Sequence, residues 1–324
     1  MPFEPSTDLP RRIAIIGGGI SGMAAAYLLK DRHNVTLYEA EPRLGGHART
    51  VMAGKRGDQP VDTGFIVFNK VNYPHLVSLF DELDVPVTES NMSFGLSARG
   101  GRLEYGLADL RTVFAQRRNV ANPAFLRMLR DIVRFNKLAR DTVTPDMTIG
   151  ALIERLRLGA WFRDYYILPF SGAIWSTPCR GILDFPAEAL VRFFENHALL
   201  GYEGQHQWYT VKDGSIEYVR RLEAALTRAG VDLRTGAPAA QVRRDAAGVH
   251  VDTYGAGSDH FDEVIFATHS DQALALLEKP TAPEREALSA VRYQPNHAVL
   301  HADTSVMPRR RAVWSSWVYK EPQT

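Results

Sequence analysis

Four consecutive apolar residues, Ile13 to Ile16, end in Gly17-Gly18-Gly19, and an Ala-rich stretch with helical spacing follows from about Ile20 to Lys30. A short apolar run bounded by glycine predicts a buried strand, and Val35-Thr-Leu-Tyr-Glu39 predicts a second one after the helix. Further on, Tyr73 to Leu83 has helical spacing. Met92-Ser-Phe94-Gly-Leu96-Ser and Leu103-Glu-Tyr105 alternate, which predicts a hairpin around Arg99-Gly100-Gly101. From 108 to 200 the pattern is mostly helical, with Phe125, Leu126, Leu129, Ile132, Val133 and Phe135 at spacings of three and four. A helix through Ile216, Val219, Leu222 and Leu226 then precedes four strand-like runs, Val231-Asp-Leu233, Ala239 to Val242, Val249-His-Val251 and Val264 to Ala267. Strands alternating with helices at both ends of the chain predict an α/β fold.

The glycine spacing gives the first strand-helix-strand unit a chemistry. Gly17 permits the tight turn out of the strand, Gly19 lets backbone approach a pyrophosphate, and Gly22 lets the helix lie close on the sheet. With Gly18, Ile20 and Ser21, these residues aim the N-terminal N–H groups of the helix at phosphates. Glu39 falls 20 residues after Gly19, at the end of the second strand, where a carboxylate accepts hydrogen bonds from ribose hydroxyls. The same carboxylate repels a 2′-phosphate, which disfavours NADP. A glycine turn that is merely structural explains none of this order.

The segment after the acid, Glu39-Ala40-Glu-Pro-Arg43-Leu-Gly45-Gly46-His47-Ala-Arg49-Thr50, resembles the flavin amine oxidase superfamily, as does the later Val61-Asp62-Thr63-Gly64-Phe65-Ile66. The resemblance implies FAD as cofactor and a Rossmann-like FAD-binding domain with a discontinuous α+β substrate domain. It implies FAD contacts at Gly17 to Gly22, Glu39, Ala40, Arg43, Gly45, Gly46, Thr63, Gly64, Phe65 and Ile66. Ala239 stands where a valine usually meets adenine through its main chain, and Ala267 closes a strand similar to the family's Asp-x-Val-Ile-x-Ala. His47 stands where the family usually has an arginine that helps to neutralise the pyrophosphate, so His47 or Arg49 takes that part. His301 falls near the family's lysine that holds water at the flavin, which makes it the candidate catalytic residue. The family closes with a glycine-rich strand and helix that touch the cofactor; Trp317 to Thr324 does not resemble them, so the expectation is a chain that stops inside the substrate domain.

These readings divide the chain into an FAD-binding first segment (1–72), a substrate domain (73–208), an FAD-binding second segment (209–270) and a second, incomplete substrate segment (271–324). Composition agrees with two ordinary cores, 45% of residues being apolar, and a net charge of +1 gives no reason to expect nucleic acid as a partner. Cys179 is the only cysteine, so redox chemistry needs a cofactor. His297 and His301 have chelating spacing only on a helix; in an extended Gln294–Ala302 they stand about 13 Å apart, so no metal is expected. The absence of an apolar leader or a membrane-length run makes a cytoplasmic protein the default.

Residues 161–209 hold 12 of the 32 aromatic side chains, enough to fill a core and leave a few, Trp175 and Trp208 among them, to face a substrate. Arg127, Arg130, Arg134, Lys137 and Arg140 interrupt the 125–135 pattern, as in a solvated helix face or one resting on an anionic membrane. No second dinucleotide fingerprint is present, so the electron donor is the substrate. Within the superfamily the chain resembles bacterial amine-oxidase-like flavoproteins that are also similar to the flavin domain of some plant cyclopropane fatty acid synthases. That resemblance implies a small apolar substrate, a lipid acyl chain first and an amine second. The rival reading is a non-catalytic scaffold that keeps the nucleotide fold.

Overall fold

A computed structural model describes residues 9–175, 178–201, 204–255, 257–293 and 295–322; the Met1–Asp8 stretch and Gln294, the first residue of the segment expected to be extended, lie outside the described residues. The chain forms two compact units, one of Met1–Ile66, His75–Thr88 and Thr210–Leu300, the other of Val67–Pro74, Glu89–Tyr209 and His301–Thr324.

The first unit is built on a four-stranded parallel sheet in the order Asp232–Arg234, Asn34–Tyr38, Arg12–Ile16, Glu263–Phe266. Ile13 to Ile16 are each at most 4% exposed, as expected of a central strand covered on both faces. The helix Ile20–Leu29 crosses one face. An antiparallel meander of Ala239–Asp245, Gly248–Thr253 and Gly257–Phe261 supplies Val242, Val249, Val251 and Phe261 to a core shared with Ala14, Ile16 and Tyr38. At the carboxyl ends of the strands the ladder runs on through Gly17 N to Tyr38 O (2.8 Å), Ala267 N to Ile16 O (2.8 Å) and Glu39 N to Arg234 O (2.9 Å), which fixes the loops where open α/β sheets bind ligands.

This division differs from the one the sequence pattern suggests at three places, the first being residues 67–72, expected with the first unit and found in the second. The helix Pro74–Glu82, all but its first residue, goes with the first unit because buried Phe80 lies 5.3 Å from the Tyr218 ring. The helices Ser270–Leu276 and Ala282–Ser289 also stay there, since Glu278 N bonds to Val242 O and Glu284 pairs with Arg244 through both carboxylate oxygens.

In the second unit the hairpin Phe94–Ala98 and Leu103–Gly106 forms as expected, and Trp317–Lys320 adds to it in parallel, Trp317 opposite Phe94. The helix Pro123–Thr142 starts where Asn122 accepts from Ala124 N and Phe125 N, with proline at the first helical position. Its Phe125, Met128, Ile132, Phe135 and Ala139 face a large core with Phe162, Tyr166, Phe170 and Phe194. Most of the aromatic segment therefore serves packing. A π-helical turn at Arg163–Ile167 disturbs the regular ladder, and Tyr105 Oη donates to the Tyr165 carbonyl at 2.6 Å. Trp208 is buried with its ring parallel to His197, and Trp175 packs on Phe185 and Phe193. Among the described residues no helix is long and apolar enough to cross a membrane, and no three metal-ligating side chains converge.

Candidate functional site

The site grows from the turn after the first strand. Gly17 has φ +110°, and a Cβ there would meet Ala267 O at 2.6 Å, so both conformation and space require glycine. A Cβ on Gly22 would lie 1.8 Å from Gly17 O; the missing side chain is what lets the helix start directly above the turn. Gly19 is the N-cap of that helix, no side chain caps it, and its first turn has no acidic residue. The orphan N–H groups of the first turn are therefore left for an anion from outside.

Glu39 shapes this turn as well as facing it. Its Oε2 accepts from Gly18 N at 2.6 Å and its Oε1 from Glu41 N at 2.8 Å. A carboxylate offers about four acceptor positions, so two remain for ribose hydroxyls. The Gly45-Gly46 turn lies across the glycine loop: Gly45 N donates to Gly18 O at 2.8 Å, and a Cβ on Gly46 would stand 3.0 Å from the Gly19 Cα. Arg43 braces the turn by donating to Gly46 O while paired with Glu41. Gly64 sits against the next residue of the same turn, a Cβ there meeting His47 O at 2.0 Å, and Phe65 N donates to that carbonyl.

Asp62 does something the motif alone does not reveal. Its carboxylate accepts from Thr50 Oγ1 (2.5 Å), Ser215 Oγ (2.7 Å) and Ser215 N (2.9 Å), while Thr50 Oγ1 accepts from Ile216 N. Together they cap the helix Ile216–Arg228, whose own N-cap Ser215 gives no side-chain cap. That helix carries Val219 against Gly45 and Tyr218 edge-on to Phe65 at 6.1 Å. Burial, aided by the Asp62 charge, pushes the Tyr218 phenol up to about 12, so it stays neutral.

These elements enclose a cavity of about 1640 Å³. Its lining includes Gly17, Gly19, Ile20, Ser21, Glu39, Ala40, Arg43, Gly45, Gly46, His47, Thr63, Gly64, Phe65, Ala239 and Ala267. Gly18 and Gly22 stand behind this wall, Gly18 against Leu44 and Glu39, Gly22 against Gly17. Ile66 is 45% exposed, and its carbonyl accepts from Thr210. His301 belongs to the other unit; it is exposed, and its Nδ1 accepts the Asp303 N–H. Pro295 to Ala302 has no regular secondary structure.

The motif reading missed His269. It follows the carboxyl end of a parallel strand, the position that marks ligand loops, and that was the available signal. The His269 ring stacks on Tyr293 at 4.2 Å and lies 5.9 Å from the ring of His47, so two imidazoles stand side by side on the cavity wall. An uncapped helix, a carboxylate with free acceptor positions and imidazoles within one cavity fit a dinucleotide with a pyrophosphate.

The comparisons with known proteins agree. Over 43 residues, 13% of this chain and 8% of the relative, the sequence is 56% identical to protoporphyrinogen oxidase 2 of Arabidopsis thaliana. Cyclohexylamine oxidase from Brevibacterium oxydans superposes with a TM-score of 0.67 at 19% identity, over 86% of this chain. A CLA-producing fatty acid isomerase from P. acnes does so with 0.58 at 16% identity, also over 86%. In both cases the chain spans 63% of the solved structure. At such identities the likeness shows the fold alone, a Rossmann-like domain with a second α+β part. The model of the flavin-containing amine oxidoreductases matches residues 20–306, and the chain belongs to that family.

Proposed function

We propose that this protein is an FAD-dependent oxidoreductase that takes hydride from a small apolar substrate, with a lipid acyl chain as the first candidate. The observation that carries the cofactor is the uncapped helix at Gly19 facing the same cavity as Glu39. When bound, FAD accepts hydride from a C–H donor and passes the electrons to an acceptor. The chain's own part is to hold and orient it. The first turn of the Ile20–Leu29 helix and the His47–His269 pair would hold the pyrophosphate, and Glu39 would hold the ribose. Phe65, whose N–H donates to the His47 carbonyl, and Gly64, packed against the same carbonyl, line the same cavity. His301 is the proposed holder of water or a proton; its Nδ1 is engaged by the Asp303 N–H, and its Nε2 has no partner among the described residues.

The fold likeness to a fatty acid isomerase supports an acyl substrate, and the likeness to cyclohexylamine oxidase favours an amine as the second reading. The test is to purify the chain, read flavin absorbance, identify the released cofactor, and add acyl lipids and amines without oxygen. Stoichiometric FAD bleached by an acyl lipid and not by amines is the expected result. Bleaching by amines alone supports the amine oxidase, and a folded colourless protein that takes up no FAD supports a scaffold.

Glu39→Gln turns one of the two N–H acceptors into an amide N–H donor. A charge-assisted hydrogen bond is worth about 1.5–3 kcal/mol, so FAD affinity in a flavin titration should fall about tenfold to a hundredfold. Unchanged affinity would remove Glu39 from the cofactor site.

A further inference from the structure

The charge of this chain is unevenly placed. Residues 110–140 hold eight Lys and Arg and a single acid, Asp131, so the remainder of a chain with net charge +1 must be net negative. Asp131 does not offset them at the surface: it is 3% exposed, and its Oδ2 accepts from Gly159 N.

The helix Pro123–Thr142 sorts these residues by face. Phe125, Met128, Ile132, Phe135 and Ala139 are buried. Opposite them, Leu126, Arg127, Arg130, Val133, Arg134 and Lys137 recur at spacings of three and four and are all exposed. From Leu126 to Lys137 this face is about 17 Å long. Arg140, at its end, pairs with Glu195; Arg127, Arg130, Arg134 and Lys137 form no ion pair among the described residues. Leu126 and Val133, 42% and 50% exposed, interrupt the row of cations.

We propose that this face docks on an anionic phospholipid surface. Four unpaired cations along about 15 Å of one helix face complement a plane of lipid phosphates. The two aliphatic side chains meet the headgroup boundary, while the apolar face proper is already spent on the core, so attachment is electrostatic and reversible. Nucleic acid fits less well, because the exposed face has no aromatic side chain on which a base would stack.

The whole chain is spun down with vesicles of phosphatidylglycerol and phosphatidylcholine, or of phosphatidylcholine alone, at rising salt. Binding should need phosphatidylglycerol and fade as salt screens it. Each basic residue near such a surface contributes about fivefold, so Arg130→Gln with Arg134→Gln and Lys137→Gln should weaken binding about a hundredfold. The melting temperature and flavin content of this exposed-face variant should stay unchanged, which separates lost docking from lost folding. Leu126→Ser with Val133→Ser should weaken vesicle binding several-fold and leave heparin binding unaltered. Equal binding to neutral vesicles, full binding by the triple variant, or tighter binding to a short DNA duplex would each overturn the proposal.

Discussion

Gly22→Ala should strip the protein of most of its flavin, whereas Gly181→Ala should leave flavin content and melting temperature as they were. At Gly22 the added methyl carbon falls 1.8 Å from Gly17 O, 3.0 Å from Gly17 C and 3.2 Å from the Ala267 Cβ. The obstacle is main chain, so no rotamer change relieves it, and the helix must lift off the sheet. Lifting it moves the N-terminal N–H groups away from the phosphates and disturbs the turn held by Gly17 N to Tyr38 O and Gly45 N to Gly18 O. Overpacking of this kind costs about 1–3 kcal/mol, and if the bound form bears the upper value the affinity falls more than about a hundredfold. At Gly181 nothing lies within 4 Å of the added carbon and φ is outside the left-handed range, so the control isolates the contact from helix propensity. The flavin-to-protein ratio and titration with added FAD read the effect. A folded Gly22→Ala protein with full flavin would show that the close approach is not what builds the site.

The same contact explains why the cofactor half of the chain was readable in advance. Glycines that touch backbone, a carboxylate at the end of a strand and a second glycine turn against the first are local requirements, and each leaves a residue type at a fixed spacing. Other parts of the site leave no such trace. Asp62 stands in a motif that suggested flavin contact, yet its carboxylate is engaged by Thr50 and Ser215, the latter 153 residues away in sequence. Tyr218 and His269 reach the cavity wall from a helix and a strand end whose apolar spacing looks like any other. The division into units was blurred for a related reason. The helices Ser270–Leu276 and Ala282–Ser289 join the first unit through one backbone bond to Val242 and a bidentate Arg244–Glu284 pair, long-range contacts that periodicity does not encode.

A second long-range contact sets the other large expected effect. Glu104, on the strand Leu103–Gly106, is 0% exposed and is paired with a half-buried Arg310. Its Oε1 accepts from Arg309 N at 2.8 Å and Ser97 Oγ at 3.0 Å, and its Oε2 accepts from Arg310 Nη1 at 2.8 Å. Burial pushes the carboxyl up, but the Arg309 N–H, the Arg310 guanidinium and the Ser97 hydroxyl together outweigh it and hold it below its ordinary value. Glu104→Ala removes the acceptor and strands three donors, and loss of one partner of a buried pair costs about 3 kcal/mol or more. The second unit should melt several degrees lower as a result. Glu104→Gln should fall between the two, since an amide keeps one acceptor and loses the charge. The pH dependence has a definite sign. A carboxyl whose folded-state value is depressed stabilises the fold fully above the ordinary carboxylate range, and that stability drains away as pH falls through the range to the depressed value. Wild type should therefore lose more stability than Glu104→Ala as the pH drops below about 4.3, the usual value for a glutamate, and the two curves should converge in acid. Thermal melts of both proteins across that range measure the convergence, and parallel curves would show that the Glu104 charge contributes nothing to holding the hairpin and the Arg309–Arg310 segment together.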